Sequence, residues 1–217
     1  MSPLKKVKII IITAIFGSVA GILISSLLYV TTGFSLFGQP AVRPPASEDI
    51  DNAQLVSLAF SVLDFIKDSD FDALSKIAHP DFGVVFSPSA TITLSTNRRF
   101  NSEQIALFGS DNTIYVWGLN DVGEPIEHNP ADYFAEFVFP SDYTTASVIG
   151  INRIVRTGNA LENITDEFPG VRFVDFHIPG EDRDSTDDLD WSSLRLGFEE
   201  HAGCLWLTVI VRSTWTV

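Results

Sequence analysis

Hydrophobic positions fall into three regimes along the chain. The first is an unbroken apolar run, Ile9 to Val30, reading "IIIITAIFGSVAGILISSLLYV". The second has helical spacing. Leu55, Leu58, Ala59, Val62, Leu63 and Ile66 lie three and four residues apart, which predicts an amphipathic helix. Asp51 and Gln54 are placed to cap its start. After "KDSD", Asp70 is an N-cap candidate for a second, short helix with Phe71, Leu74, Ile77 and Ala78 on its inner face. Pro80 stops that helix, because proline lacks the N–H and restricts the residue before it. The third regime alternates. "GVVF" and "TIYVWG" read as strands, as do "TTASVIGINRI", "VRFVDFHI" and "SSLRLGFEE". The last forms a hairpin with "CLWLTVIVRSTW" across His201, Ala202 and Gly203. Two more short helices interleave: "NSEQIALFG", capped by Asn101 and ended by Gly109, and "NPADYFAEF", with Asn129 as cap and Pro130 in its first turn.

Helices first and a long antiparallel sheet at the C-terminal end predict an α+β fold. Leu194, Leu196 and Phe198 alternate on one strand of the final hairpin; Leu205, Leu207, Val209 and Val211 alternate on the other. One face of the sheet is expected to bury against the helices.

The apolar run changes the picture of where the chain sits. Its 22 residues span about 33 Å as a helix, enough for a hydrocarbon core of about 30 Å. Lys5, Lys6 and Lys8 precede it, and the next basic residue is Arg43. The positive-inside rule therefore places Met1 in the cytoplasm and the body outside, as a single-pass membrane protein. A cleaved signal peptide is the competing reading. Its apolar stretch is usually only roughly 7–15 residues, and "TTGFSLFGQPAV" offers no Ala-x-Ala site. No cysteine lies near residue 30, which excludes a lipoprotein-type anchor. Gly17 and Gly21 form a Gly-x-x-x-Gly pair that would let two such helices touch. "GQPAVRPPASEDID" then reads as an extended linker. The expected organisation is a basic stub (1–8), an anchor (9–30), a linker (31–50) and an extracytoplasmic domain (51–217). The partner implied for residues 9–30 is the lipid bilayer.

Charge sharpens this. The chain has 14 basic and 28 acidic residues, and three of the basic ones precede the apolar run. A body so acidic is unsuited to nucleic acid and is repelled by anionic headgroups. Cys204 is the only cysteine, so no internal disulfide supports the domain. Asn163-Ile164-Thr165 matches a glycosylation acceptor, which matters only in a eukaryotic secretory pathway.

Candidate chemistry is sparse. In "AHPDFGVVFSP", His79 and Asp81 flank Pro80, either as a catalytic pair or as a helix end and turn. Asp175 and His177 are two residues apart on a strand, hence on one sheet face, where an imidazole and a carboxylate could pass a proton. Asp190 and Arg195 are spaced for a structural ion pair, and both are ligand-binding candidates with Trp117 and Tyr133. Trp117, Tyr133, Trp191 and Trp206 are also natural core fillers. The acidic stretch "GEDRDSTDDLD" offers Asp182, Asp184 and Asp187 as weak metal candidates. It fails the EF-hand pattern, with Thr186 at position five and Ser193 at position twelve. Four scattered histidines give no zinc spacing, and no phosphate loop, dinucleotide fingerprint or nucleophile elbow occurs, so no cofactor is expected.

"HPDFGVVFSP", "VWGLNDVGEPI", "GNALEN", "IPGED", "DWSSLRLGFEE" and a terminal "WTV" carry a resemblance. Taken as a set, they resemble an uncharacterised family of bacterial membrane-anchored or secreted domains with a nuclear transport factor two-like, cystatin-like cone fold. The likeness spans about residues 52 to 217. It implies helices over a curved sheet, with a pocket at the open end. It implies no activity. Arg212 stands where the family pattern leads one to expect a histidine. Two functions remain open: a tethered, non-enzymatic domain binding a small ligand or surface protein, or an isomerase- or dehydratase-like enzyme using a cone pocket.

Overall fold

The computed structural model describes residues 47–180 and 189–215. The stub, the apolar run and most of the linker lie outside these residues, as do Asp182, Asp184, Asp187 and the last two residues. No helix among the described residues is long and apolar enough to cross a membrane.

The body is α+β. Its first helix, α1, runs Ser47–Lys67, so Asp51 and Gln54 lie inside it instead of capping it. Leu55, Ala59, Val62 and Leu63 are fully buried along its stripe. Helix α2 (Phe71–Lys76) is capped by Asp70, whose carboxylate accepts from the Ala73 N–H at 2.9 Å. It ends four residues before Pro80. Ile77, Ala78 and His79 leave the helix to run alongside Leu207: Leu207 N–H donates to Ile77 O at 2.8 Å and His79 N–H to Leu207 O at 2.9 Å. Pairing with the sheet takes the backbone out of the helix here, and Pro80 bars its continuation, because its ring would meet the Lys76 carbonyl four residues back.

Strands β1 (Val84–Ser87) and β2 (Arg98–Phe100) follow, then α3 (Ser102–Ala106). Asn101 and Gln104 form a reciprocal capping box on α3. Gly109 lies beyond its end, which is closed by Leu107. A separate hairpin, β3 (Tyr115–Leu119) and β4 (Pro125–His128), leads to α4 (Pro130–Tyr133). Asn129 caps α4, and a π-turn, Phe134–Val138, continues it. After a 3-10 turn at Tyr143–Thr145, β5 covers only Val148–Ile151, where the longer "TTASVIGINRI" was expected. A short helix, α5 (Ile164–Glu167), precedes β6 (Arg172–Ile178), β7 (Ser192–His201) and β8 (Cys204–Thr214). Strands β2 and β4 had no sequence signal. The first is three residues long and the second begins with proline, a residue confined to sheet margins.

The main sheet has six strands in the order β2-β1-β8-β7-β6-β5. It is not wholly antiparallel as expected, because β1 lies parallel to β8. The first strand therefore enters beside the last, closing the domain around its two ends. Strands β7 and β8 are joined by a two-residue turn, Ala202-Gly203, with φ of 53° and 77°. Both values are positive, the mark of a hairpin turn whose twist matches its strands.

A bulge corrects the reading of β8. Gly197 pairs with Val209, but Phe198 pairs with Leu207, leaving Thr208 as an extra residue. The alternation changes face at that point. Leu205 and Leu207 belong to the helix-side core, whereas Val209 and Val211 belong to a second core on the opposite face. Ile210 takes the helix-side position instead. Both faces of the sheet are thus buried. The second is covered by the loop after β1 and by residues 152–171, which supply Ile92, Ile164, Phe168 and Val171.

Candidate binding groove and buried charge cluster

The sequence candidates fall into separate environments. His79 is 9% exposed and serves the backbone: its Nδ1 accepts from the Phe82 N–H at 3.1 Å and the Asp81 N–H at 3.3 Å. Asp81 is exposed and faces His201, whose Nε2 is 3.5 Å from its Oδ2. The His79–Asp81 stretch is therefore a turn held by an imidazole acceptor, with the His201 ring 5.0 Å from that of His79.

Trp117 and Tyr133 are core residues. Their rings stack 3.7 Å apart at 4°, and Trp117 Nε1 donates to His128 O at 2.9 Å. Phe86 meets the Trp117 ring edge-on at 5.4 Å. Burial pushes the Tyr133 phenol far above its ordinary range. Trp191 is buried beneath the covering segment, and the Trp206 ring donates to His201 O at 3.1 Å. Arg212 lies at the margin of the helix-side face, with its guanidinium 5.4 Å over the Phe137 ring. Its charge draws the Tyr133 and Tyr143 phenols down against their burial.

Asp175 and His177 do share one face, as their spacing requires, but each takes a different partner. His177 Nδ1 lies 2.9 Å from Ser193 Oγ. Asp175 Oδ2 accepts from the Val155 N–H at 2.8 Å and lies 3.4 Å from an Arg195 nitrogen. The other Arg195 nitrogen meets Glu162 at 2.6 Å, and Ser213 Oγ donates to Glu162 Oε1 at 3.2 Å. The expected Asp190–Arg195 pair is thus replaced. Asp190 is exposed at the entrance to β7, while Arg195 is fully buried between two other carboxylates. Burial pushes the Asp175 carboxyl upward, with Arg195 and the Val155 N–H drawing it partly back. Asp175 Oδ1 and Arg195 Nε are buried without a partner.

Glu162 and Val155 complete this cluster and lie on the covering segment. They are 33 and 20 residues from their partners, and no periodicity marks them. Close packing holds that segment down. A methyl group at Gly158 would stand 2.9 Å from Thr214 O and 3.3 Å from the Trp191 ring, and Arg156 lies 5.2 Å over that ring. Asn163 adds a two-way link, accepting from Ile92 N–H at 2.8 Å and donating to Ile92 O at 2.9 Å.

Two surface concavities stand away from these groups. The smaller, about 360 Å³, lies beside the β7–β8 turn and is lined by Gln54, Arg172, Glu200 and the exposed Cys204. The larger, about 640 Å³, is a groove between three loops. One wall is Ser89, Thr91, Thr93, Thr96 and Asn97; another is the β3–β4 tip, Leu119 to Asp121; the third is Asn159, Ala160 and Leu161. Thr91 Oγ1 donates to Leu161 O at 2.9 Å, tying two walls together. Asn97 Oδ1 accepts from the Thr93 N–H at 2.7 Å, and Asn120 Oδ1 accepts from the Val122 and Glu124 N–H groups. No group of three or more metal-capable side chains occurs among the described residues. The one sequence signal for the groove is the run of hydroxyl and amide residues in "SPSATITLSTN", which falls between strands.

No family model, curated protein or solved structure matches this chain.

Proposed function

We propose that the chain is a membrane-tethered, extracytoplasmic binding domain that holds a small ligand in the groove between the three loops, without transforming it. The observation that carries this reading is a separation. The larger groove is lined, Asp121 apart, by hydroxyl, amide and aliphatic side chains, while His79, Asp175 and His177 lie elsewhere. His79 is engaged in a turn, and Asp175 and His177 lie beneath a bonded covering segment. General acid–base work needs a proton carrier within hydrogen-bond reach of the substrate, and the groove lining offers only Asp121. The apolar Ile9–Val30 run behind three lysines supports the tether.

Two experiments test the reading. Protease added to intact cells is expected to remove the body; a protected body reverses the topology. Ligand panels are read as thermal shifts, because a ligand favouring the native state raises the melting temperature. Thr96 is exposed at the groove wall, so Thr96→Trp blocks the groove without touching the core. Any ligand shift is expected to vanish in that variant. A shift that survives it places binding outside the groove, and turnover of the bound compound establishes an enzyme.

A further inference from the structure

We infer that the groove selects an aliphatic amine in its protonated form, of the polyamine or amino-sugar class. This rests on the groove being the binding site and adds what kind of ligand fits it. The argument starts from where the hydroxyl hydrogens go. Ser89 Oγ donates to Thr91 O at 3.1 Å, Thr91 Oγ1 to Leu161 O at 2.9 Å, and Thr96 Oγ1 to Thr93 O at 3.3 Å. A hydroxyl has one hydrogen and two lone pairs. With the hydrogens turned to backbone carbonyls, these three side chains present lone pairs to a ligand. Asp121 adds a carboxylate, and neither lysine nor arginine is in the lining. The groove therefore offers hydroxyl acceptors, one carboxylate and no cation, beside the donor end of the Asn97 amide, whose oxygen is taken by the Thr93 N–H.

A lining with one carboxylate, three hydroxyl acceptors and no cation favours a positively charged ligand rich in donors. An ammonium group brings three N–H donors and no acceptor. The surrounding charge points the same way, because acidic residues outnumber basic ones 28 to 14 in the whole chain. That field concentrates cations and repels phosphates and carboxylates. Leu119 and Leu161, 45% and 68% exposed, supply apolar edges for methylene groups or the C–H face of a sugar. The walls are bonded together before a ligand arrives, through Thr91 to Leu161 and through Asn163 to Ile92, which reduces the ordering cost of binding.

The test is calorimetric titration of the full-length chain in nanodiscs of zwitterionic lipid, with spermidine, glucosamine and glucose. Binding is expected for spermidine or glucosamine but not for glucose, and to weaken with added salt. Asp121→Asn is expected to weaken amine binding about tenfold, by removing a hydrogen bond to a charged group. Thr96→Trp is expected to abolish it. Spermidine alone binding identifies a linear amine; glucosamine alone identifies an amino sugar. Glucose binding as tightly as glucosamine, with both lost in Thr96→Trp, overturns the amine assignment and leaves the groove standing. Amine binding indifferent to both substitutions overturns the groove as the site. Silence from all three probes overturns the amine assignment, and the wider panel with Thr96→Trp then judges the groove separately.

Discussion

On the helix side of the six-stranded sheet, Leu194, Leu196 and Phe198 meet the apolar stripe of α1. On the loop side, the alternate residues of the same strand, Ser193, Arg195 and Gly197, meet a covering segment that brings Glu162 and Ile164 against them. Both sets are fully buried or nearly so, yet they are secured differently. The helix side rests on non-directional burial, worth about 25 cal/mol for each Å² of apolar surface removed from water. It tolerates small adjustments. The loop side adds ions whose removal from water must be offset by particular partners. A mixed polar face of this kind holds one arrangement of its cover and punishes the loss of any single member.

The largest expected break in that comparison is Arg195→Ala. It leaves the Glu162 and Asp175 carboxylates buried together with no cation, and removing one partner of a buried ion pair costs about 3–5 kcal/mol. Urea unfolding measures it. A triple replacement, Arg195→Met with Glu162→Gln and Asp175→Asn, is expected to recover most of that loss, since an uncharged cluster needs no counter-ion. If Arg195→Ala alone costs less than about 1 kcal/mol, the cluster is solvated and the loop side is not a core.

Gly197→Ala is the next test and targets the cover itself. The added methyl would stand 2.5 Å from Val209 Cγ1, 3.1 Å from Val171 Cγ2 and 3.4 Å from Ile164 Cδ1. Overpacking of this kind costs about 1–3 kcal/mol. Because two of the three neighbours belong to the covering segment, amide exchange is expected to quicken over residues 164–171 and to stay slow in α1. Uniform acceleration across the domain contradicts independent cover.

These two residues also explain what was legible in the sequence. Leu194, Leu196 and Phe198 announced a buried face because apolar side chains at period two have one physical reading. Asn101, Asn129 and Asp70 announced helix starts because a short acceptor side chain suits an orphan N–H. The loop side gave no such signal. Arg195 and Gly197 alternate with the apolar set, and nothing in that pattern marks them as buried. Their burial depends on Glu162 and Ile164, 33 residues away by chain for the ion pair and joined to it by nothing periodic. The bulge at Thr208 is equally silent: strict alternation groups Val209 and Val211 with Leu207, although they point to the opposite core. The groove shared this fate, since its walls are three loops brought together by hydrogen bonds such as Thr91 to Leu161, across 70 residues. Local chemistry is written locally, and a site assembled from distant loops is not.

The smallest expected effect is one of slope. Burial raises the Asp175 carboxyl above its ordinary value, so the folded protein holds that proton more tightly than the unfolded chain does. The sign follows. A raised folded value contributes stability that is complete below the unfolded carboxylate range, about pH 3.9, and is lost as pH rises through the folded value. Asp175→Asn cannot titrate. Its stability relative to the unsubstituted protein is therefore expected to improve as pH rises from about 4 toward neutrality, and then to level off once the carboxyl is fully ionised. Urea unfolding of both proteins across that range reads the difference directly and cancels groups common to both. A difference that stays flat means that burial and Arg195 cancel, so that the carboxyl titrates in the folded protein as in the unfolded chain and is ionised at neutral pH. Arg195 would then be holding two full negative charges beneath the cover. A difference of the opposite sign means that Arg195 and the Val155 N–H outweigh burial, so that the ionised form is the one the fold prefers.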